Sequence, residues 1–169
     1  MVIWLIGISG AGKTTLGNRI HQYYKSKDIK SYLIDGDLVR DFYDNDLGYS
    51  KKDRQANIKR IMLSAYLLEK NNIIPIVCNI SPFEDLRVFA RNKFINYQEI
   101  FLKKDLKKAQ KDDVKEVYKS NLKITDLVGI DMTFETPKSS NLIIETDNEN
   151  IETSLKKILT YLESTANEH

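Results

Sequence analysis

The feature that most constrains the fold of this chain is the segment Gly7–Thr14, which reads GISGAGKT. It matches the pattern G-x-x-x-x-G-K-S/T of phosphate-binding loops. The continuous apolar run of residues 2–6 precedes it, and residues 14–26 carry apolar side chains at helical spacing. An apolar run of this kind predicts a strand that is buried on both faces. We therefore expect a strand–loop–helix unit whose backbone amides and helix N-terminus bind a phosphate chain.

Each position of this loop has an expected role in binding ATP and Mg²⁺. Lys13 reaches the β- and γ-phosphates, and Thr14 holds Mg²⁺ through its hydroxyl. The predicted ATP-binding residues are Gly7, Ser9, Gly10, Ala11, Gly12, Lys13, Thr14 and Thr15. A guanine-specific GTPase normally also carries Asn-Lys-x-Asp late in the chain, and this sequence has no such run.

Strand-like and helix-like patterns alternate along the rest of the chain. Short apolar runs predict further strands near residues 31–34, 73–77, 97–102 and 142–144. Helical spacing predicts helices over 51–70 and after residue 151. This alternation implies βαβ units, so we expect an α/β fold of three layers with a mostly parallel sheet, as in P-loop NTPase kinases.

Two of the predicted helices carry capping signals. Ser50 and Asp53 stand at capping-box spacing before the long helix. Ser81 as the N-cap, Pro82 as the first helical residue and Glu84 as the third predict another helix start.

The segment 111–137 fits neither a helix nor a strand, because its periodicity is mixed and it carries many charges and Gly129. Long irregular segments in compact domains are often functional, so we interpret this one as a mobile lid.

The length of 169 residues suits one domain, and we expect a single domain over 1–169.

The charge balance argues against a polyanionic partner. The chain has 26 basic and 24 acidic residues, whereas nucleic-acid binders usually present an electrostatic field of one sign.

Cys78 is the only cysteine, which excludes an internal disulfide. The apolar run of residues 2–6 is far too short to span a bilayer. With no signal-like segment at either end, we expect a cytoplasmic protein that binds neither membranes nor nucleic-acid polymers.

A pair of carboxylates follows the second predicted strand, in the sequence Asp35-Gly36-Asp37. Ligands of open α/β sheets lie beyond the carboxyl ends of the strands. Asp35 can orient Mg²⁺ together with Thr14, and Asp37 can accept the proton of an attacking hydroxyl. Asp37 and Lys13 are therefore the predicted catalytic residues. The alternative is a turn with a helix N-cap, since Asp-Gly is a common turn pair.

Basic and amide side chains come next. Arg40 precedes the long predicted helix, and Arg54 and Asn57 lie one turn apart near its start, where both can face one cleft. Guanidinium groups bind phosphate or sulfate oxygens bidentately. This cluster predicts an acceptor that carries such an anionic group.

Six ordered motifs resemble those of adenylylsulfate kinases. They are Gly7–Thr15, Leu33–Arg40, Asp46–Ser50, Asp53–Arg60, Ile80–Phe83 and Gly129–Pro137, and they span nearly the whole chain. The resemblance implies transfer of a phosphoryl group from ATP to the ribose 3′-hydroxyl of a nucleotide whose 5′-phosphate carries a further acidic group. It also allows a homodimer. The residues it implies for acceptor binding are Asp35, Arg40, Tyr49, Arg54, Asn57, Asn79, Ile80, Ser81 and Leu127.

The sequence departs from the family where the base is expected to bind. Leu127 stands where the family usually has Phe, one half of an aromatic clamp on adenine, and the other half survives as Tyr49. Asn79 stands where the family usually has another Phe. Base–aromatic stacking is worth roughly 1–3 kcal/mol, and an amide adds hydrogen-bonding capacity that can read a base edge. These changes suit a smaller, more polar base.

In these departures the chain is similar to a side branch, the cytidine diphosphoramidate kinases of capsule phosphoramidate synthesis. We therefore expect cytidine 5′-diphosphoramidate as the acceptor. The alternative is adenylylsulfate, converted to 3′-phosphoadenylylsulfate in sulfate assimilation. A non-catalytic, nucleotide-gated binding protein would keep the phosphate loop without needing Asp37. A kinase of a sugar acid or another small metabolite is the last alternative.

Overall fold

A parallel sheet with helices on both faces forms the fold of this chain, for which a computed structural model describes residues 1–111 and 127–166. In chain order the elements are β1 (Val2–Ile6), α1 (Lys13–Ser26), β2 (Ser31–Asp35), α2 (Gly36–Phe42), α3 (Lys51–Lys70), β3 (Ile74–Cys78), α4 (Glu84–Lys93), β4 (Tyr97–Lys103), α5 (Leu106–Lys111), β5 (Leu142–Glu145) and α6 (Ile151–Ala166). The strand order is β2-β3-β1-β4-β5, and every described pairing is parallel.

The central strand β1 shows why the molecule has three layers. Its side chains alternate between two hydrophobic clusters, as the period of a strand requires. Trp4 and Ile6 pack in the cluster that includes Ile58 of α3, whereas Ile3 and Leu5 pack in the cluster that includes residues of α1 and α6. All five residues of β1 are buried, which confirms the α/β fold and the buried first strand that the sequence predicts.

Helix α1 lies very close to the sheet at Gly17. A β-carbon at this position would overlap the Cys78 sulfur and would lie 2.9 Å from Leu33 Cδ1. The glycine therefore allows the helix that follows the phosphate loop to approach β2 and β3 more closely than any larger residue would.

The two capping predictions have different outcomes. Helix α3 begins as predicted, because the Ser50 hydroxyl accepts a hydrogen bond from the Asp53 amide at 3.2 Å. The prediction that Ser81 caps the next helix is wrong: α4 begins at Glu84, with Phe83 at the N-cap position and no side-chain cap. Ser81 has a left-handed backbone (φ 46°) and its hydroxyl is bonded elsewhere, so it belongs to a turn before the helix.

Of the predicted lid, residues 112–126 lie outside the described residues. The described part after them packs on the body of the domain. The Phe134 ring stacks on that of Phe101 at 5.5 Å between centroids, and the Glu135 amide donates to the Pro82 carbonyl at 3.0 Å. Within residues 1–111 and 127–166, none of the helices combines the length and the apolar character needed to cross a bilayer.

Candidate active site

The phosphate loop follows the carboxyl end of β1, in the middle of the sheet. Gly7, Gly10 and Gly12 have φ values of 145°, 77° and 88°, which favour glycine over residues with a side chain. A β-carbon on Gly7 would also lie 2.5 Å from the Leu102 carbonyl oxygen. The glycines thus let the chain curl tightly against β4 before α1 begins.

Backbone amides and one cation converge at this loop. Helix α1 has Gly12 as its N-cap, no side-chain cap and no acidic residue in its first turn, an N-terminus that favours an anion. Lys13 Nζ donates to the carbonyls of Gly7 at 2.9 Å and Ile8 at 2.7 Å, so the ammonium lies over the loop. Of the other predicted ATP-binding residues, Ala11 is buried, Ser9 half-buried and Thr15 exposed in the first turn of α1.

Asp35 connects this loop to the start of α2. Thr14 Oγ1 donates to one carboxylate oxygen of Asp35 at 2.8 Å. The other oxygen accepts from the Asp37 amide at 3.0 Å and caps α2. Asp35 is thus an N-cap, as in the turn alternative, and it also lies next to Thr14, as the metal prediction requires. Its role as a metal ligand stays a prediction. Asp37 lies exposed in the first turn of α2.

These residues fit ATP with Mg²⁺. A hydroxyl and a carboxylate are the oxygen ligands that Mg²⁺ prefers, and such a site usually takes one or two carboxylates plus the phosphates of the nucleotide. The Thr14 hydroxyl donates a hydrogen bond to Asp35, which leaves the lone pairs of its oxygen oriented for a cation. Among the described residues, no group of three or more His, Cys, Asp or Glu side chains could hold a metal by itself.

The arginines predicted to bind the acceptor lie around Tyr49. The Arg40 and Arg54 guanidinium carbons are 4.7 Å and 5.3 Å from the centroid of the Tyr49 ring. Arg40 is buried, and its Nη1 donates to the carbonyls of Leu47 at 3.0 Å and Gly48 at 2.9 Å. Arg40 therefore positions the loop that presents Tyr49. Contact with the acceptor stays a prediction for all three side chains.

A second pair of charges fixes the same loop. Arg60 donates to both carboxylate oxygens of Asp46, at 2.7 Å and 2.8 Å. This hydrogen-bonded arginine lowers the pKa of Asp46 below its ordinary value. The loop between α2 and α3 is thus attached to α3 by a charge pair.

Two amide side chains flank Gly36, directly before Asp37. Asn57 is 2% exposed, and its Nδ2 donates to the Gly36 carbonyl at 3.4 Å. Its Oδ1 is buried and has no hydrogen-bond partner among the described residues. The Nδ2 of Asn79 is packed so closely over the Gly36 Cα that a β-carbon there would overlap it. Both amides lie beside the residues predicted to face the acceptor.

The loop after β3 is shaped by the other end of Asn79. Asn79 Oδ1 accepts from the Ser81 amide at 2.9 Å and from the Ser81 hydroxyl at 3.0 Å. Trp4 Nε1 donates to that hydroxyl at 2.9 Å, so the Ser81 side chain is buried. The Ile80 carbonyl accepts from the Gly7 amide at 3.4 Å, which joins this loop to the phosphate loop.

Leu127 begins the described segment after the gap. Its carbonyl accepts from the amides of Ile130, Asp131 and Met132, and its own amide donates to an Asp131 carboxylate oxygen at 3.0 Å. Gly129 packs against Leu106 of α5 and near Ile8 of the phosphate loop. The turn that begins at Leu127 thus lies against the phosphate loop, and contact of Leu127 with a base stays a prediction.

Comparison with known proteins identifies the family of this chain. The adenylylsulphate kinase family model matches residues 1–145. The chain belongs to the adenylylsulphate kinase family. It is 38% identical over 165 residues to the adenylyl-sulfate kinase of Rippkaea orientalis, covering 96% of this chain and 91% of that one. It is 35% identical over 165 residues to that of Halothermothrix orenii, with 96% and 89% covered.

Solved structures agree with the family. The APS kinase of Mycobacterium tuberculosis, in complex with AMPPNP and APS, superposes with a TM-score of 0.88 at 30% identity, covering 96% of each chain. A shikimate kinase from Aquifex aeolicus, at 19% identity and a TM-score of 0.59, shares the fold alone. Family membership confirms the predicted class, an ATP-dependent phosphotransferase with an alcohol acceptor that uses ATP with Mg²⁺. It argues against a non-catalytic nucleotide-gated protein.

Sequence reasoning did not single out several residues that shape the site. Trp4 reads as an ordinary core residue of β1, yet its indole nitrogen holds Ser81. Arg87 of α4 reads as a surface charge, yet it is 1% exposed and donates to the Ser81 carbonyl at 2.7 Å. Both contacts join residues from separate elements, so no local pattern announces them. The sequence signal that could have pointed to the Trp4 contact is a single Trp within an otherwise aliphatic strand.

Proposed function

We propose that this protein transfers the γ-phosphoryl group of ATP to the ribose 3′-hydroxyl of a nucleotide acceptor. The observation that carries the proposal is the double use of Asp35. Its carboxylate holds the Thr14 hydroxyl of the phosphate loop and the first turn of α2, which bears Asp37. The phosphate loop and a candidate general base are therefore both hydrogen-bonded to one carboxylate.

The residues divide the work of transfer between them. Lys13 and the loop amides bind the phosphates and stabilise charge that develops on the β–γ bridge. Thr14 and Asp35 would hold Mg²⁺, which would supply positive charge to offset that of the phosphates. Asp37 accepts the proton of the attacking hydroxyl late in the transfer. Asn57 and the arginines near Tyr49 orient the acceptor through its anionic 5′ group.

Adenylylsulfate is the acceptor that the relatives favour. The curated relatives are adenylyl-sulfate kinases, and the M. tuberculosis enzyme is described in complex with APS. Tyr49 supports this candidate, because its half-exposed ring can stack on adenine. Production of 3′-phosphoadenylylsulfate is the corresponding activity.

Cytidine 5′-diphosphoramidate is a second candidate, favoured by Asn79 and Leu127. A polar amide and an aliphatic side chain replace two aromatic residues that the family usually has near the base. Asn79 Oδ1 already accepts two hydrogen bonds from Ser81, so Nδ2, a donor, is the polar atom of this side chain left to contact a nucleotide. A donor at this position suits the N3 or O2 acceptor atoms on the edge of cytosine. None of the relatives named above is described with this activity, so this candidate depends on the two side chains alone.

The deciding experiment measures ADP release from ATP with adenylylsulfate and with cytidine 5′-diphosphoramidate side by side. Phosphorus NMR of the product locates the new phosphate on the ribose. We expect one of the two acceptors to accelerate ADP release strongly over ATP alone, with a 3′-phosphate as the product. If neither accelerates it, the nucleotide 3′-kinase proposal is wrong.

The variant Asn79→Phe assigns the preference to a residue. Restoring an aromatic ring should raise kcat/KM for adenylylsulfate relative to the cytidine acceptor by about tenfold, as base stacking predicts. The variant Asn92→Phe, at an exposed position of α4, is the matched control and should leave the ratio unchanged. An unchanged ratio in Asn79→Phe would remove this residue as a determinant of the base. Whether the protein forms a homodimer, and whether residues 111–137 act as a lid, stay predictions.

A further inference from the structure

We propose that Arg87 is a positioning residue for the acceptor side of the site. It belongs to α4 and fixes the acceptor loop, Asn79–Ser81, relative to the segment Phe134–Glu135. The inference rests on the proposed function in one respect, namely that the acceptor loop faces the nucleotide acceptor.

Arg87 is buried, and its guanidinium group makes hydrogen bonds and a ring contact with two separate chain segments. It is 1% exposed. Its Nη1 donates to the Ser81 carbonyl at 2.7 Å, and its Nη2 donates to the Glu135 carbonyl at 2.6 Å. The guanidinium carbon also lies 5.7 Å from the centre of the Phe134 ring. One rigid, planar group therefore holds two backbone carbonyls that are far apart in the sequence.

The acceptor loop needs stabilising contacts from other elements, because its backbone conformation is unfavourable. Ser81 has φ 46°, and the left-handed region costs a residue with a side chain about 1–2 kcal/mol. Its amide and hydroxyl are bonded to Asn79, and Trp4 donates to the hydroxyl. The remaining polar group of Ser81 is its carbonyl, and Arg87 binds it. Arg87 thus completes the set of bonds that keeps Asn79 in place beside Gly36.

Three further contacts, besides those of Arg87, attach the segment Phe134–Glu135 to the domain. The Glu135 amide donates to the Pro82 carbonyl at 3.0 Å, and a Glu135 carboxylate oxygen accepts from the Glu84 amide at 2.7 Å. Phe134 stacks on Phe101 of β4. The segment that leads from the Leu127 turn towards β5 is therefore attached to the same helix start as the acceptor loop.

The charge of Arg87 is balanced locally. Glu84 Oε2 accepts from Arg87 Nε at 3.1 Å and from Nη2 at 2.5 Å. A buried cation needs such a partner, and removing the cation alone takes the Arg87 donors away from Glu84 Oε2 and from two carbonyls. The fork geometry of a guanidinium, which a lysine ammonium lacks, is what lets one side chain reach both carbonyls.

Arg91, one turn further along α4, is a matched control. It pairs with the same Glu84 at 3.8 Å and with the buried Glu99 at 3.1 Å. None of its described bonds reaches the acceptor loop or the segment Phe134–Glu135. Loss of Arg91 should therefore reproduce the effect of removing a half-buried charge from α4 without releasing the loop.

The first test compares Arg87→Lys, Arg87→Gln and Arg91→Gln in full-length protein, with KM for ATP and for the acceptor measured separately by ADP release. We expect Arg87→Gln to raise the acceptor KM by about tenfold or more, with a much smaller change in the ATP KM. Arg87→Lys should lie between it and the wild type, because the ammonium binds one carbonyl but not both. Arg91→Gln should leave the ratio of the two KM values unchanged. An equal rise in both KM values, or none, would overturn the proposal.

The second test does not depend on turnover. Amide hydrogen exchange should show faster exchange over residues 79–83 and 133–136 in Arg87→Gln and, less so, in Arg87→Lys, but not in Arg91→Gln. Unchanged exchange there in both Arg87 variants would contradict the positioning role. If wild-type ADP release responds to no nucleotide acceptor, the proposed function fails while the exchange result still decides the role of Arg87.

Discussion

The two halves of the site differ in how they are built. The donor half, residues 7–15, is one uninterrupted segment whose shape comes from glycine backbone angles and a helix N-terminus. The predicted acceptor half takes residues from α2, α3, the acceptor loop and the turn at Leu127. Side-chain bonds join α3 to α2 and shape the acceptor loop and the turn individually. A backbone-built half tolerates change in most side chains but not in its glycines. A half assembled from side chains can change its ligand through one or two substitutions.

The largest expected effects come from removing one functional group from each half. Lys13→Ala and Asp37→Ala should each lower kcat by about 10² or more. They should differ in binding, because Lys13→Ala also raises the KM for ATP, whereas Asp37→Ala leaves it near the wild-type value. Steady-state ADP release with both substrates varied separates the two patterns.

Asp41→Ala controls for the charge lost at Asp37, since Asp41 is exposed on the same short helix. It should retain near-normal turnover. Near-normal turnover in Asp37→Ala would instead show that this carboxylate is not the base.

A smaller effect is expected from adding a methyl group at Gly17, where α1 packs against the sheet. Gly17→Ala should lower the free energy of unfolding by about 1–3 kcal/mol through overpacking, although alanine otherwise favours a helix. The double variant Gly17→Ala/Cys78→Ala should recover much of the loss, because the overlapping sulfur is gone. Thermal or denaturant unfolding measures both, with Gln22→Ala on exposed α1 surface as the control. A Gly17→Ala variant as stable as the wild type would show that α1 can move away from the sheet.

The smallest effect is expected at the charge pair of the acceptor half. Asp46→Asn should raise the acceptor KM several-fold with little loss of stability, because exposed ion pairs contribute little. Since Arg60 lowers the pKa of Asp46 in the folded state, the contribution of this pair is present at neutral pH. It is lost only in acid, as the pH falls through the lowered pKa.

Acceptor titrations at low and high salt check this prediction, since screening weakens exposed pairs. The neighbouring Asp44→Asn serves as the control, because asparagine tolerates the left-handed backbone found there. An acceptor KM that ignores both Asp46→Asn and salt would show that the loop bearing Tyr49 keeps its position without the pair.

The same contrast explains how much could be predicted from the sequence. The donor half, the order of strands and helices and the cap at Ser50 depend on neighbouring residues, so local patterns predict them. The N-cap prediction at Ser81 failed because Trp4, far away in the sequence, and Asn79 bind its hydroxyl. Helix α2 is too short for its periodicity to be recognised. The contacts of Arg87 join three chain segments and have no local signature.

Asp35 has a consequence for how such an enzyme can diverge. Both of its oxygens are engaged, one by the hydroxyl of Thr14 and one by the amide of Asp37. In the proposed reaction, a shift of this side chain would move Thr14 of the phosphate loop relative to Asp37, whichever nucleotide is bound. Substitutions elsewhere in the site that change the acceptor would leave this connection in place.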